Sequence, residues 1–488
     1  MERREGSLMN YGMVNRVLGN LLMFEAAALL PSLGISFFYG QHDFNAFLMT
    51  IVLILTFGYA MSKLPVRSKR IKTKEAITIV TMGWIVVSAF GALPFVLSGA
   101  LPNYVDAFFE TVSGLTTTGA TVIDDIEVLP YGILFWRSLL HWLGGMGILV
   151  LALAIMPTLG VGAFQIFKAE SPGPISDKLV PKMKDTAKIL YIAYLGITVI
   201  ETLLLMVGGM NLYEALIHTF GTVGTGGFST RNASIAAFNS RYIYTVITFF
   251  MVASGVNFAL YYELYRGRIG NIFKNIEFKV YISIFLAIST LMSISLLGYY
   301  DSIIDAIQHG FFQVASIMTT TGYATADFDL WPNFSKALLF FVMFIGGSAG
   351  STGGSIKVIR LVILYKLVKR EFVKLMHPRA VVPVELNGKM LSSDVIANIT
   401  GFFFLYVLLF ISGTLFISIE GVDFVSAASA SAASLGNIGP GFGRLGPTQT
   451  YAFLSSPSKI VLSVLMLFGR LELFTIFLLF TPNHWRKD

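Results

Sequence analysis

The chain has 488 residues, 55% of them hydrophobic, 13% charged and none cysteine, with a mean hydropathy of +0.71. That balance excludes an ordinary soluble domain, and the absence of thiols excludes disulfides and thiolate metal centres. A net charge of +7 does not point to nucleic acid, because no such motif accompanies it and the basic residues lie in connecting segments, where topology and anionic lipid account for them.

The opening stretch MERREGSLMNYGMVNRVLGN has no small-residue cleavage site behind a short apolar core, so the apolar segments after it read as mature structure. Residues 20–62 supply two spans interrupted near FYGQHDFN, each close to the ~20 residues that cross a bilayer as a helix. Beyond them one unit recurs four times: an apolar span, a half-apolar stretch ending in a Gly-rich turn, and a second apolar span. The first spans cover about 76–98, 189–209, 279–298 and 395–417, and the second about 131–157, 241–266, 335–365 and 458–481. The divisions are a two-helix N-terminal unit at 1–68 and repeats at 69–170, 171–272, 273–380 and 381–488.

Basic residues concentrate at 63–74 (KLPVRSKRIKTK), 168–188, 266–279 and 366–379 and in the tail HWRKD. The positive-inside rule places these segments, and both termini, in the cytoplasm. Acidic residues dominate the alternate connections, from Asp106, Asp124, Asp125 and Glu127 through Asp301, Asp305, Asp327 and Asp329 to Glu420 and Asp423. As a set they would raise the cation concentration at an outer entrance.

Each Gly-rich turn follows a helix-length segment of 10–14 residues: 105–114, 212–221, 303–316 and 422–434. At about 1.5 Å per residue these cover roughly half a bilayer, so they read as re-entrant. Irregular backbone at that depth is tolerated where protein encloses it or where it lines a water-filled cavity. The turns SGLTTTGAT, FGTVGTGGF, ASIMTTTGY and ASLGNIGPG align without gaps on Gly119, Gly226, Gly322 and Gly439. A ring of four such loops can turn backbone carbonyls inward to replace the hydration shell of a cation, with threonine hydroxyls at the inner end. Glycine permits the positive φ this demands, and each short helix would aim its negative end at the cavity. The four stretches hold no carboxylate, so the ligands are neutral oxygens, unlike those of a divalent-cation site. A packing role for any one glycine is an equally good account of that loop alone. Four in register, each after a half-length helix, favour the pore.

On TTTGAT, TVGTGGFST, TTTGYAT and GNIGPGFG the chain resembles, over its whole length, the TrkH/KtrB/HKT superfamily of bacterial and plant cation transporters. The two additional N-terminal spans place it with the Trk branch. The resemblance implies an all-α integral membrane protein with four helix, pore-loop, helix repeats around a central pore and two extra N-terminal helices. It implies potassium uptake across the bacterial inner membrane, K+ as the permeating ion with Rb+ as a surrogate, no organic cofactor, a homodimer, and a cytosolic TrkA-like nucleotide-binding regulatory partner. A serine in place of the first filter glycine goes with sodium transport in plant relatives, and here all four are glycine. The implied filter residues are Gly119, Gly226, Gly322 and Gly439 with Thr117, Thr118, Gly224, Thr225, Thr320, Thr321, Asn437 and Ile438 as carbonyl donors; Ile438 would leave the ring one hydroxyl short.

The third repeat's second span breaks at FIGGSAGSTGGSIKVIR, where Gly346, Gly347, Gly350, Gly353 and Gly354 interrupt an apolar helix. The resemblance makes this a flexible loop across the pore beneath the filter. Arg470 stands near the middle of the last span, where an arginine costs roughly 2.5–3.5 kcal/mol on insertion scales. The resemblance makes it a gate charge; a structural ion pair with Glu472 or Glu201 is the alternative. Glu110 reads as a buried hydrogen-bonding residue behind the filter. No HExxH, nucleophile elbow or nucleotide fingerprint occurs, which argues against an enzyme. The competing function is an alternating-access symporter of K+ with Na+ or H+, which would favour two inverted halves over four like-oriented units.

Overall fold

The computed structural model describes residues 9–66, 71–147 and 183–482. Among these, six helices are long and apolar enough to cross a membrane, or seven if one bent pair counts as a single span. α1 (Tyr11–Phe38) and α2 (Phe44–Ser62) form the N-terminal pair. α1 therefore starts nine residues earlier than the sequence pattern suggested, capped by the Asn10 side chain, which accepts from Met13 N at 3.3 Å. α3 (Thr73–Gly91) and α4 (Leu93–Leu97) carry the first span of repeat 1.

The half-length helices follow as expected. α5 (Tyr104–Leu115) is succeeded by α6 (Tyr131–Gly145); the remainder of that expected span, 131–157, lies outside the described residues. α7 (Met183–Val207) leads to α8 (Leu212–Val223), then α9 (Arg241–Ser254) and α10 (Phe258–Tyr265). After the short α11 (Ile269–Lys274), α12 (Ile276–Leu296) precedes α13 (Ile303–Met318), with α14 (Asn333–Val342) and α15 (Val358–Met376) beyond it. A two-residue hairpin, Glu385–Leu386 with Lys389–Met390, precedes α16 (Ser393–Ser418), α17 (Phe424–Gly436), α18 (Ser456–Arg470) and α19 (Phe474–Phe480). Asparagine or aspartate side chains cap α5, α8 and α17: Asn103, Asn211 and Asp423 accept from Val105 N, Glu214 N and Ser426 N at 2.9, 2.8 and 3.0 Å. Each cap satisfies one of the first-turn N–H groups that a helix leaves without an internal partner.

The sequence suggested a break in the second span of repeat 3 only, but the spans of repeats 2 and 4 break as well. α9 and α10 meet at 96°, and α18 ends at Arg470, where Glu472 and Leu473 take φ of 57° and 53°. Apolar composition hides such breaks because neighbouring backbone satisfies the freed groups. Ser348 N donates to Gly255 O at 2.8 Å, Phe258 N to Gly350 O at 3.0 Å, and Leu473 N to Phe468 O at 3.0 Å. Buried apolar side chains form two large clusters, one joining α1–α6 to α16–α19, the other joining α7–α15 to the start of α16 and the end of α17.

Candidate functional site

The four buried helices α5, α8, α13 and α17 each end in the same backbone figure. Thr117, Thr225, Thr320 and Asn437 take left-handed φ of 57°, 57°, 60° and 54°, and two residues later Gly119, Gly227, Gly322 and Gly439 take φ of 80°, 83°, 84° and 98°. Between them, Thr118, Gly226, Thr321 and Ile438 donate their N–H to Ser113, Gly221, Ser316 and Ala433 O at 2.7–2.8 Å. The equivalent glycine of repeat 2 is therefore Gly227 and not Gly226. GTGG offers two glycines, and only the hydrogen bond from Gly226 N fixes which is which. Gly224 correspondingly shares its position with Thr116, Thr319 and Gly436.

These loops close on one another in a cycle. A β-carbon on Gly119 would collide with Gly226 O, on Gly227 with Thr321 O, on Gly322 with Ile438 O, and on Gly439 with Thr118 O. Four equivalent carbonyl oxygens thus stand at one level, each against the next loop's glycine, and any side chain there would force neighbouring loops apart. The side chains at that level are Thr118, Gly226, Thr321 and Ile438, so two hydroxyls are missing, not one. The two present turn back onto Thr116 and Thr319 at 2.8 Å, and Asn437 Nδ2 donates to Thr118 Oγ1 at 3.0 Å. Oxygen at this level is supplied by backbone.

Behind the ring, polar side chains hold the outer limb of each loop. Glu110 Oε2 accepts from Val122 N at 3.0 Å and Glu110 Oε1 pairs with Arg137 at 2.5 Å, both side chains buried. This bears out the reading of Glu110 as a hydrogen-bonding residue. His218 Nε2 meets Ser229 Oγ at 2.9 Å, Gln313 Oε1 accepts from Thr325 N at 3.2 Å, and Ser429 Oγ accepts from Phe442 N at 2.9 Å. Glu110, His218 and Gln313 stand the same distance before Gly119, Gly227 and Gly322. That signal becomes visible once the register of repeat 2 is right, so the sequence found only the first. His141 bridges repeats, donating from Nδ1 to Gly114 O at 2.7 Å and accepting at Nε2 from Phe228 N at 3.2 Å. Tyr323 donates to Phe228 O of the preceding repeat at 3.1 Å, and Tyr451, whose hydroxyl donates to Gly439 O of its own repeat at 2.8 Å, donates its N–H to Thr121 O of repeat 1 at 2.8 Å, so both clasp adjacent loops.

Beneath the ring lies the segment between α14 and α15, containing Gly346, Gly347, Gly350, Gly353 and Gly354. Gly354 N donates to Thr320 Oγ1 at 2.7 Å, which presses the segment against the inner end of the third loop. Glu277 on α12 accepts from Ala349 N at 2.7 Å and from Ile359 N at 3.1 Å. Gly350 takes φ of 77°. Arg470 donates to Thr352 O of this segment at 2.8 Å, to Gly145 O at 2.8 Å, to Gly144 O, and to Thr117 Oγ1 at 3.4 Å. One guanidinium therefore joins the end of α6, the glycine segment and the first loop. Neither acidic partner suggested by the sequence is used: Glu472 pairs with Arg360, and both Glu201 carboxyl oxygens lack a hydrogen-bond partner among the described residues. Lys357, which donates to Gly353 O, adds a further positive charge at this level. No group of three or more His, Cys, Asp or Glu side chains suited to a metal occurs among the described residues.

A family model described as a cation transport protein, TrkH, matches residues 42–487. The Trk system potassium uptake protein TrkH of Salmonella typhimurium is 40% identical over 487 residues, covering 98% of this chain and 100% of that one. The protein of the same description from Halomonas elongata is 42% identical over 488 residues with the same coverage. Among solved structures, the potassium transporter TrkH from Vibrio parahaemolyticus matches with a TM-score of 0.88 and 37% identity, covering 98% of this chain and 100% of that one.

Proposed function

The chain belongs to the TrkH family of cation transport proteins, and on that premise we propose that it carries potassium inward through a pore of four like-oriented repeats whose filter is the ring at Gly119, Gly227, Gly322 and Gly439. It is a transporter and not an enzyme. The observation that carries the reading is the cyclic closure of the four loops, which stacks four equivalent neutral carbonyl oxygens with no carboxylate among them. Such a cage replaces the shell of a weakly hydrated monovalent cation, while a divalent ion would demand charged ligands. The C-terminal ends of α5, α8, α13 and α17 converge on it and add negative potential.

In this reading Arg470 and the glycine segment 346–354 form the gate. The arginine sets a fixed positive charge on the inner side of the filter, and its bonds to Thr352 O, Gly144 O and Gly145 O hold the segment there. Opening requires those bonds to part, a task suited to a cytosolic TrkA-like nucleotide-binding partner acting on the inner face. The protein sits in the bacterial inner membrane with both termini cytoplasmic, works as a homodimer, and accepts Rb+ in place of K+.

Flux into liposomes tests this. Purified protein is expected to pass potassium and rubidium and to exclude sodium, and Gly119→Ser to admit sodium. Flux indifferent to that substitution, or seen only when a second solute gradient is imposed, would replace the pore by an alternating-access symporter.

A further inference from the structure

The N-terminal pair α1 and α2 has no place in the filter or gate, yet α1 carries a carboxyl group in the membrane. Glu25 is 1% exposed, and neither of its oxygens has a hydrogen-bond partner among the described residues. A lone carboxylate out of water is costly, and ionisable residues in that position mark proton relays or ion pathways in membrane proteins. Glu25 is also not alone. Ser32 and Ser36, seven and eleven residues further along, share its face of α1. Ser32 Oγ is equally unpartnered, and Ser36 donates to Asp43 in the connection to α2, whose Oδ2 is buried without a partner.

The helix that α1 packs against repeats the pattern. α1 and α3 run parallel: Asn10 N donates to Glu75 Oε1 at 3.2 Å at their starts, and Glu25 lies beside Gly91 at the far end of α3, where a β-carbon would stand 2.9 Å from Glu25 Oε1 and 3.1 Å from Thr111 Cγ2 of α5. Thr81, Trp84 and Ser88 share one face of α3, and their polar atoms are all buried without hydrogen-bond partners. The guanidinium of Arg470 lies 5.9 Å from the centre of the Trp84 ring. Native interiors rarely leave so many polar atoms unsatisfied unless water or an exchangeable proton serves them.

We propose that Glu25 is a proton-binding site, reached from the Asp43 end along Ser36 and Ser32, whose occupancy controls the position of α5 and so the ion flux. The step is proton transfer alone: the carboxylate takes H+ from water and returns it. No charged side chain among the described residues acts on Glu25. On α6, Arg137 and His141 face the filter, held by Glu110 and Gly114 O. On α5, Glu110 is taken by Arg137 and Asp106 by Lys459, and on α3 Glu75 is taken by the N–H groups of Asn10 and Lys72. The ionisable group of α2, Tyr59, is exposed. A neutral acid fits the tight contact among Gly91, Thr111 and Trp136. An ionised one needs a shell of water there, which separates α1 from α3 and displaces α5, the helix that leads into Thr117 and Gly119.

The proposal rests on the pore reading, and the experiment separates the two. Rubidium uptake by the full chain in liposomes is measured while the pH is raised from neutral, alongside infrared spectra of the carbonyl band of protonated carboxyl groups. Wild-type flux is expected to fall by up to about tenfold per pH unit once Glu25 titrates, as part of that band disappears. Glu25→Gln is expected to lack that part of the band and hold flux at the wild type's neutral-pH level. Wild-type flux that does not change with pH, or the same fall in Glu25→Gln, overturns the proposal. If Glu25→Gln does not fold, Ser32→Ala decides through the response to a pH jump: a slowed flux change supports the route, an unchanged rate refutes it. Absence of wild-type flux at every pH refutes the pore reading, and the infrared band still decides the proton site.

Discussion

Replacing Arg470 by alanine removes both parts of the proposed gate at once. The side chain donates to three backbone oxygens, Thr352, Gly144 and Gly145, and hydrogen bonds from a charged donor contribute about 1.5–3 kcal/mol each. Part of that is returned, because the variant also ends the cost of holding a cation at this depth, about 2.5–3.5 kcal/mol. The larger effect is on the permeating ion. At roughly 5 Å and an effective dielectric of about 20, two like charges repel by about 3 kcal/mol, which is about a hundredfold in rate. Rubidium uptake into liposomes by the chain alone should therefore rise by up to two orders of magnitude in Arg470→Ala. Arg470→Lys separates the two contributions, since it keeps a point charge but loses the forked geometry, and its flux should stay within a few-fold of wild type. Unchanged or reduced flux in Arg470→Ala, in protein that still elutes and melts as wild type does, would refute the gate.

Gly227→Ser should reduce the preference for potassium over sodium as Gly119→Ser does, because both glycines lie against a neighbouring loop's carbonyl; a normal ion preference in flux assays would contradict the placement of Gly227 in the ring. Arg137→Leu leaves Glu110 buried without its partner and should destabilise the protein by about 3–5 kcal/mol, read as a lower melting temperature in detergent. At the N-terminal end of α17, the Asp423 carboxyl is held below the usual range by the Ser426 hydroxyl and N–H. Its folded form is thus the stronger acid, so its contribution is complete above the unfolded value of about 3.9 and fades as pH falls through the lower folded one. Asp423→Ala should cost about 0.5–2 kcal/mol at neutral pH and flatten thermal stability against pH in the acid range; an equal loss at all pH values would exclude the cap.

The membrane class, the half-length helices and the repeated Gly-rich turns were legible in the sequence because each follows from composition and length. An apolar stretch of about 20 residues crosses a bilayer and one of half that length cannot. Glycines at Gly119, Gly322 and Gly439 were also legible, since few other residues tolerate their φ. The bend between α9 and α10 was not, because the partners that satisfy its freed groups come from repeat 3, and the break after Arg470 was not, because it depends on the pairing of Glu472 with Arg360, also from repeat 3.

The sequence by itself determined which residues are available to the proposed pore: neutral oxygens and glycines, and one deep arginine. Only the tertiary structure decided which carbonyl oxygen stands against which glycine. Gly226 and Gly227 are interchangeable in a pattern but not in a backbone where one N–H is bonded to Gly221 O and the other residue lies against Thr321 O. Arg470 likewise takes its partners from α6, the glycine segment and the first loop, none of them near it in the chain. A local pattern fixes what a residue can adopt; the contacts that select among those options are long-range and exist only once the loops have closed on one another.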